Sequence, residues 1–132
     1  MTQQEIKICL EQGEGTRIEY KKAWEKAPSD LYETIVSFSN KDGGIVLIGV
    51  SDNGDIIGLN NDKVSQMKQD ITTACNNPGF INPPISIAPM AVDYETKQLL
   101  ILKIPTSSQV HTLNGVIYDR ENDSDIRIID LH

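Results

Sequence analysis

Residues 43–54 read GGIVLIGVSDNG, and this stretch decides the fold class. Its centre, residues 45–50, is a continuous apolar run rich in β-branched side chains, which predicts a central strand covered on both faces. Asn53-Gly54 is a hairpin signal, because both residue types tolerate the positive φ of a type I′ turn. Residues 55–59 are therefore predicted to return antiparallel to the run.

Helical and strand patterns alternate on either side of this central strand. Three segments carry apolar residues at helical spacing, namely 3–11, 31–38 and 61–76. Further strands are predicted at 16–23, 85–93, 98–104, 116–118 and 126–129. This order predicts an α/β (α+β) fold, in which a mixed, mostly antiparallel sheet packs against two or three helices. By length, residues 1–132 form a single domain.

The first strand has a charged side. Ile18 and Tyr20 alternate with Arg17, Glu19 and Lys21, which predicts that the apolar pair faces the core and the charged residues face solvent. The following helix has Asp30 and Glu33 at capping-box spacing, which predicts that Asp30 caps its N-terminus.

The composition limits the functions and compartments available. The net charge is −7, which argues against tight, nonspecific binding to duplex nucleic acid. No apolar run approaches the ~20 residues that span a bilayer, so no membrane association is expected. The two cysteines, Cys9 and Cys75, lie far apart in apolar helical contexts. Free buried thiols fit a reducing compartment, which predicts a cytoplasmic location.

Three motifs, in this order, resemble one known family. Residues 14–21 (EGTRIEYK) resemble the opening signature E-x4-E-[FY]-K of the Schlafen-type, Alba-like DNA-binding domain, the Schlafen AlbA domain. Residues 33–40 (ETIVSFSN) are similar to the helix that follows it. Residues 43–54, with 57–59 (IGL), are similar to its glycine-bounded strand and turn. Near the C-terminus the family reads Y-x-R-x-G-[ST]; Tyr118 and Arg120 are kept here, and Asn122 replaces the glycine.

The resemblance carries expectations about the whole protein. Such domains are found in bacterial transcriptional regulators and in RecG-related, helicase-like proteins, where they often precede a further module. The chain is therefore expected to be the N-terminal part of a longer protein. The resemblance also implies nucleic acid, DNA or RNA, as the partner.

Three carboxylates carry the sharpest chemical hypothesis. In Schlafen nucleases the positions that match Glu14, Glu19 and Asp52 are implicated in metal-dependent RNA cleavage. Hard oxygen ligands of this kind hold Mg²⁺ or Mn²⁺, which stabilises the charge that develops on a scissile phosphate. The alternative is structural: Asp52 begins an ordinary Asp-Asn-Gly turn, and Glu19 pairs with Arg17 or Lys21 on an exposed strand. No cofactor is expected unless the domain is a nuclease.

Basic and aromatic residues provide the candidates for nucleic-acid contact. Arg17, Lys21, Lys22 and Arg120 are predicted to contact phosphates, which would position a strand without reading its bases. Trp24 and Tyr20 could stack on a base, although the alternation of the first strand places Tyr20 in the core. The glycines match neither G-x-G-x-x-G nor G-x4-G-K-[ST], so no nucleotide loop is predicted.

The leading hypothesis is a non-enzymatic nucleic-acid-binding module, which binds DNA through the basic surface around residues 17–26. The second is a metal-dependent ribonuclease that uses Glu14, Glu19 and Asp52. The third is a protein-interaction or dimerisation domain, and a homodimer stays open.

Overall fold

The computed structural model describes residues 1–128 and contains three α-helices and two four-stranded sheets within that range. The helices are α1 (Gln3–Gln12), α2 (Leu31–Ser39) and α3 (Val64–Cys75), the last preceded by a 3-10 turn at Asn61–Lys63. The strands are β1 (Ile18–Lys21), β2 (Gly44–Ile48), β3 (Ile81–Asn82), β4 (Met90–Tyr94), β5 (Lys97–Ile104), β6 (Thr112–Leu113), β7 (Val116–Glu121) and β8 (Ser124–Ile128). The predicted α+β fold with mostly antiparallel pairing is confirmed.

The first sheet has the order β1-β2-β5-β4, and only its β1–β2 pair is parallel. The apolar run predicted as a central strand forms β2 and pairs on both edges. In the register, Glu19 lies beside Val46 and Lys21 beside Ile48, so each of these pairs shares one face of the sheet.

The second sheet has the order β3-β6-β7-β8 and is wholly antiparallel. Its presence differs from the prediction of one sheet. Helix α2 contacts β5 of the first sheet and three strands of the second, so α2 lies between the two sheets. The last predicted strand, 126–129, is observed as part of β8, and its final residue lies outside the described part of the chain.

Each face of the first sheet has its own core. On one face, Ile18, Tyr20 and Leu47 pack with Ile6 and Cys9 of α1. On the other, Val46 and Ile48 pack with buried residues of α2 and α3. Because Glu19 and Lys21 share this second face, the charged side of β1 faces the interior, and all four residues of β1 are buried. The predicted solvent exposure of Glu19 and Lys21 is therefore wrong.

The structure also differs from two predictions of local structure. Asp30 makes no side-chain capping bond to α2. After β2, Gly54 donates from its N–H to the carbonyl of Ser51 (2.9 Å) and has φ +84°, but Asn53 does not have a positive φ. The turn is thus not type I′, and the predicted return strand is reduced to one bridge, Val50 to Ile56. No α-helix within residues 1–128 has the length and apolar character needed to cross a membrane.

Candidate nucleic-acid interface

A buried ion cluster joins the two sheets. Arg120 of β7 is 1% exposed, and its Nη2 lies 2.8 Å from Oε1 of Glu19 on β1. Its Nη1 lies 2.7 Å from Oδ1 of Asp125 on β8. Both carboxylates are nearly buried, so these charged hydrogen bonds form in a medium of low polarity, where they are strong.

The remaining contacts of Arg120 extend this cluster to α2 and to the loop before β1. Nε and Nη2 both donate to the carbonyl of Gly15, at 3.2 and 2.9 Å. The guanidinium carbon lies 4.7 Å from the centre of the Phe38 ring. Asp125 in turn accepts a hydrogen bond of 2.7 Å from the hydroxyl of Thr34. Because Arg120 is buried and all three nitrogens of its guanidinium donate hydrogen bonds within the protein, its predicted role as a phosphate contact does not fit the structure.

Two of the three predicted catalytic carboxylates come together. Glu14 accepts a hydrogen bond of 3.0 Å from the N–H of Tyr20 through Oε2, and its side chain lies close enough to Glu19 to affect the pKa of that residue. Burial, followed by the neighbouring Glu14 side chain, raises the pKa of Glu19 to about 8, although Arg120 and Lys21 oppose the shift. Burial and a neighbouring carboxyl group both disfavour the ionised form of Glu19.

The residues present do not fit the predicted metal centre. Asp52 is exposed on the turn after β2, and Glu19 is held by Arg120. Within residues 1–128 no group of three or more Asp, Glu, His or Cys side chains is placed to hold a metal ion. A divalent cation prefers ionised oxygens, whereas burial raises the pKa of Glu19. A catalytic role of Glu14, Glu19 and Asp52 stays a prediction.

The predicted basic contacts separate into two groups. Lys21 is buried, and its Nζ lies 3.1 Å from Oδ2 of Asp30. Arg17 and Lys22 are exposed, as is Lys26. In the described part of the chain none of these three exposed cations forms an ion pair. Arg17, Lys22 and Lys26 are therefore available to an anionic ligand, whereas Lys21 supports the fold.

The two aromatic candidates also differ. Tyr20 is 4% exposed, and its hydroxyl donates to the carbonyl of Cys9 at 3.2 Å, so Tyr20 belongs to the core. Trp24 is 55% exposed and belongs to neither apolar core. It lines an open groove of about 460 Å³, which we name the Trp24 groove; the lining residues are Trp24, Ile57, Gly58, Leu59, Asn60, Asn61, Asp62, Thr96, Lys97 and Gln98.

Several polar residues that the sequence did not single out hold the second sheet in place. The amide nitrogen of Asn40 donates to the carbonyls of His111 (2.9 Å) and Tyr118 (2.8 Å). Asn40 follows α2, and both acceptors lie on or next to the second sheet. In the sequence, Asp125 is one of several acidic residues near the C-terminus. No local pattern distinguishes Asn40 or Asp125, because their partners lie far away in the sequence.

The raised pKa of Glu19 predicts a pH dependence of stability. The folded domain keeps a proton that the unfolded chain releases above its ordinary pKa of 4.5. The stabilisation that this bound proton gives the folded domain should therefore decrease between about pH 4.5 and pH 8. The free energy of unfolding should fall by at most ~1.4 kcal/mol per pH unit. Glu19→Gln should remove this dependence, which urea unfolding at several pH values measures. A parent that gains stability relative to the variant as the pH rises would mean an ionised Glu19 instead.

The α+β fold with two sheets around α2 agrees with the comparisons to known proteins. Residues 14–129 match the family model described as Schlafen, AlbA_2, and the chain belongs to this family. Its fold is similar to the N-terminal domain of a RecG-related protein from Nitrosomonas europaea, with TM-score 0.58, 24% identity, and coverage of 96% of this chain and 95% of that one. The DIP2311 protein from Corynebacterium diphtheriae gives TM-score 0.60 at 16% identity over 86% of this chain and 22% of that chain.

One curated relative is an uncharacterized ATP-binding protein, UU034, from Ureaplasma parvum serovar 3. It is 35% identical over 71 residues, which is 52% of this chain. The matched stretch spans about a fifth of that relative, 20% of its length.

Proposed function

We propose that this domain is a non-enzymatic nucleic-acid-binding module, the DNA-binding part of a transcriptional regulator or a RecG-related protein. Family membership and the likeness to a RecG-related N-terminal domain support a nucleic-acid-associated role. The observation that carries the proposal is the loop after β1, where exposed Lys22 and Lys26 stand on either side of exposed Trp24.

The electrostatics of the loop suit a phosphate backbone. Lys22 and Lys26 form no ion pair among residues 1–128, and Arg17, which precedes the other end of β1, is also exposed. Glu25 is the one acid within residues 22–27. The net charge of −7 repels nucleic acid from the rest of the molecule, so binding should be modest in affinity and strongly dependent on salt.

Charge reversal at Lys22 and Lys26 together is expected to weaken binding to a labelled oligonucleotide at least tenfold at ~50 mM salt, because two phosphate contacts are lost and repulsion is added. The slope of log K against log salt should fall in magnitude by roughly one to two units. Fluorescence anisotropy measures both quantities.

Lys7→Glu provides the matched control, because Lys7 is an exposed lysine on α1 that does not line the Trp24 groove. It makes the same change in net charge as reversal of Lys22 or Lys26 alone, half that of the pair, and should leave affinity nearly unchanged. Lys21 is avoided, since its reversal would break the ion pair with Asp30. A parent domain that fails to bind at ~50 mM salt would refute the proposal.

The ribonuclease remains the enzymatic alternative, and the contact between Glu14 and Glu19 is the observation in its favour. Incubation with structured RNA and Mn²⁺ distinguishes it from pure binding. Cleavage that disappears in Glu14→Gln would favour the nuclease, and intact RNA at high protein concentration would remove it.

A protein-interaction domain is supported by β8, one of the two edge strands of the second sheet within residues 1–128. Ile126 and Ile128 are exposed on this strand, and an exposed apolar edge can pair with another strand. Size-exclusion chromatography with light scattering, with and without nucleic acid, separates a homodimer from a monomer.

A further inference from the structure

The Trp24 groove has the dimensions of a nucleotide-sized site. Its volume is about 460 Å³, within the range of ~300–1,000 Å³ common to small-ligand pockets. Trp24 forms part of its wall with half of its surface open, and Ile57 is also exposed there. Because Trp24 is exposed and lies outside both cores, its ring does not contribute to their packing. The ring is therefore free to contact a ligand.

Backbone hydrogen bonds hold the segments that form the wall of the Trp24 groove. The N–H of Asn60 donates to the carbonyl of Trp24 at 2.9 Å, which ties the loop after β1 to the segment before α3. The N–H groups of Ile57 and Gly58 both donate to the carbonyl of Gly49 at 2.9 Å. The ring is therefore presented on a fixed frame, which lowers the entropy lost when a flat ligand stacks on it.

Both charged and polar side chains line the groove. Lys97 lines it and uses its ammonium for one hydrogen bond, to the carbonyl of Ile56 (3.0 Å). A lysine has three donors, so two remain for a phosphate. Lys22 and Lys26 flank Trp24 along the chain. The amides of Asn61 and Gln98 and the carboxylate of Asp62 offer hydrogen bonds of the kind that base edges make.

These features favour a single strand over a duplex as the ligand of the groove. A base inside a duplex is covered on both faces by its neighbours, so it cannot lie against a side-chain ring without leaving the stack. An unpaired base has a free face, and stacking on aromatic residues is the main way in which proteins hold single strands. The carboxylates of Asp62 and Glu25 would repel a phosphate, but they can accept hydrogen bonds from the amino groups of a base.

We propose that the Trp24 groove takes one unstacked base of a single-stranded nucleic acid, with the ring of Trp24 against the base and the adjacent lysines on the flanking phosphates. This rests on the proposed function, which requires only phosphate contacts, and adds the substrate class. An apolar peptide is the competing occupant, since Ile57 lies in the same groove.

Trp24 is the only tryptophan of the chain, so its intrinsic fluorescence reports on the groove directly. The probes are an oligothymidine of about 12 nucleotides, its duplex with oligoadenosine, and a strand of the same length whose sugars carry no base. The oligothymidine should quench the fluorescence saturably and bind about tenfold more tightly than the duplex. The base-free strand should bind weakly and without quenching. An RNA strand of matching length tests the sugar preference.

Trp24→Ala should weaken binding of the single strand about tenfold or more, and Trp24→Phe by less, because phenylalanine keeps a smaller stacking surface. Val110→Ala removes an equally exposed apolar side chain outside the groove and should have no effect. Equal affinity for single strand and duplex, without quenching, would overturn this inference and leave the proposed function intact. Absence of binding by every probe at ~50 mM salt would overturn both.

Discussion

Replacing Arg120 with methionine is expected to lower the free energy of unfolding by about 3–5 kcal/mol, because it leaves Glu19 and Asp125 without their buried partner. Methionine keeps a long side chain, so the loss reports on the charge and its hydrogen bonds more than on a cavity. Since domains of this size are stable by only about 5–15 kcal/mol, the variant should unfold at much lower urea concentration. Urea unfolding followed by circular dichroism measures the loss.

Two comparisons identify the cause. Arg127→Met removes an exposed arginine from the neighbouring strand β8 and should change the free energy of unfolding by less than about 0.5 kcal/mol. Adding Glu19→Gln and Asp125→Asn to Arg120→Met replaces the two unpartnered carboxyl groups with neutral amides and should restore part of the stability. If Arg120→Met alone changed stability by less than about 1 kcal/mol, the cluster would not be a main tie between the sheets.

The sequence predicts the first sheet well because its signals are local. The apolar run at 45–50 forms β2, and the strand predicted at 98–104 forms β5 beside it. The strand predicted at 85–93 is observed in its second half as β4, which pairs with β5. Each prediction needs only the pattern within about ten residues, and each element packs in the way that its own pattern requires.

The orientation of β1 could not be predicted from such a pattern. The alternation of Ile18 and Tyr20 with Glu19 and Lys21 shows that two faces differ, but not what covers each face. Here the charged face is covered by α2 and by a sheet whose Arg120 lies 101 residues after Glu19. Charge alone then suggests a phosphate contact for Arg120, and only the tertiary structure reveals its buried partners.

Asn122 shows how a departure from a motif can preserve its geometry. It stands where the family has glycine, in the turn between β7 and β8, and its φ is +55°. Asparagine enters this left-handed region more readily than other non-glycine residues. The β7–β8 pairing that holds Arg120 beside Asp125 is therefore kept without the glycine.

The candidate interface was only partly predictable. Arg17 and Lys22 are exposed as the sequence suggested, whereas Lys21 is buried against Asp30. The groove beside Trp24 is built from the segments at 57–62 and 96–98, which a reading of residues 17–26 alone does not bring together. The sequence alone therefore does not show that Trp24 lies beside these segments.

Gly43→Ala is expected to lower the free energy of unfolding by about 2–5 kcal/mol, the sum of a strained backbone and a steric clash. Gly43 has φ +72°, and an added Cβ would lie 2.6 Å from the carbonyl oxygen of Ile104 and 2.9 Å from the nitrogen of Thr106. These are backbone atoms at the end of β5, so they cannot move aside as a side chain can.

The control for Gly43→Ala is Gly115→Ala, because Gly115 has nearly the same φ, +77°, and nothing within 4 Å of the added carbon. It should cost only the strain of the left-handed region, about 1–2 kcal/mol. Urea unfolding of both variants separates the two contributions. Equal losses would mean that the chain relaxes around position 43. A larger loss at Gly43 would show that glycine is required between α2 and β2 because the end of β5 lies so close to it. No nucleotide-binding role would then be needed to explain this glycine.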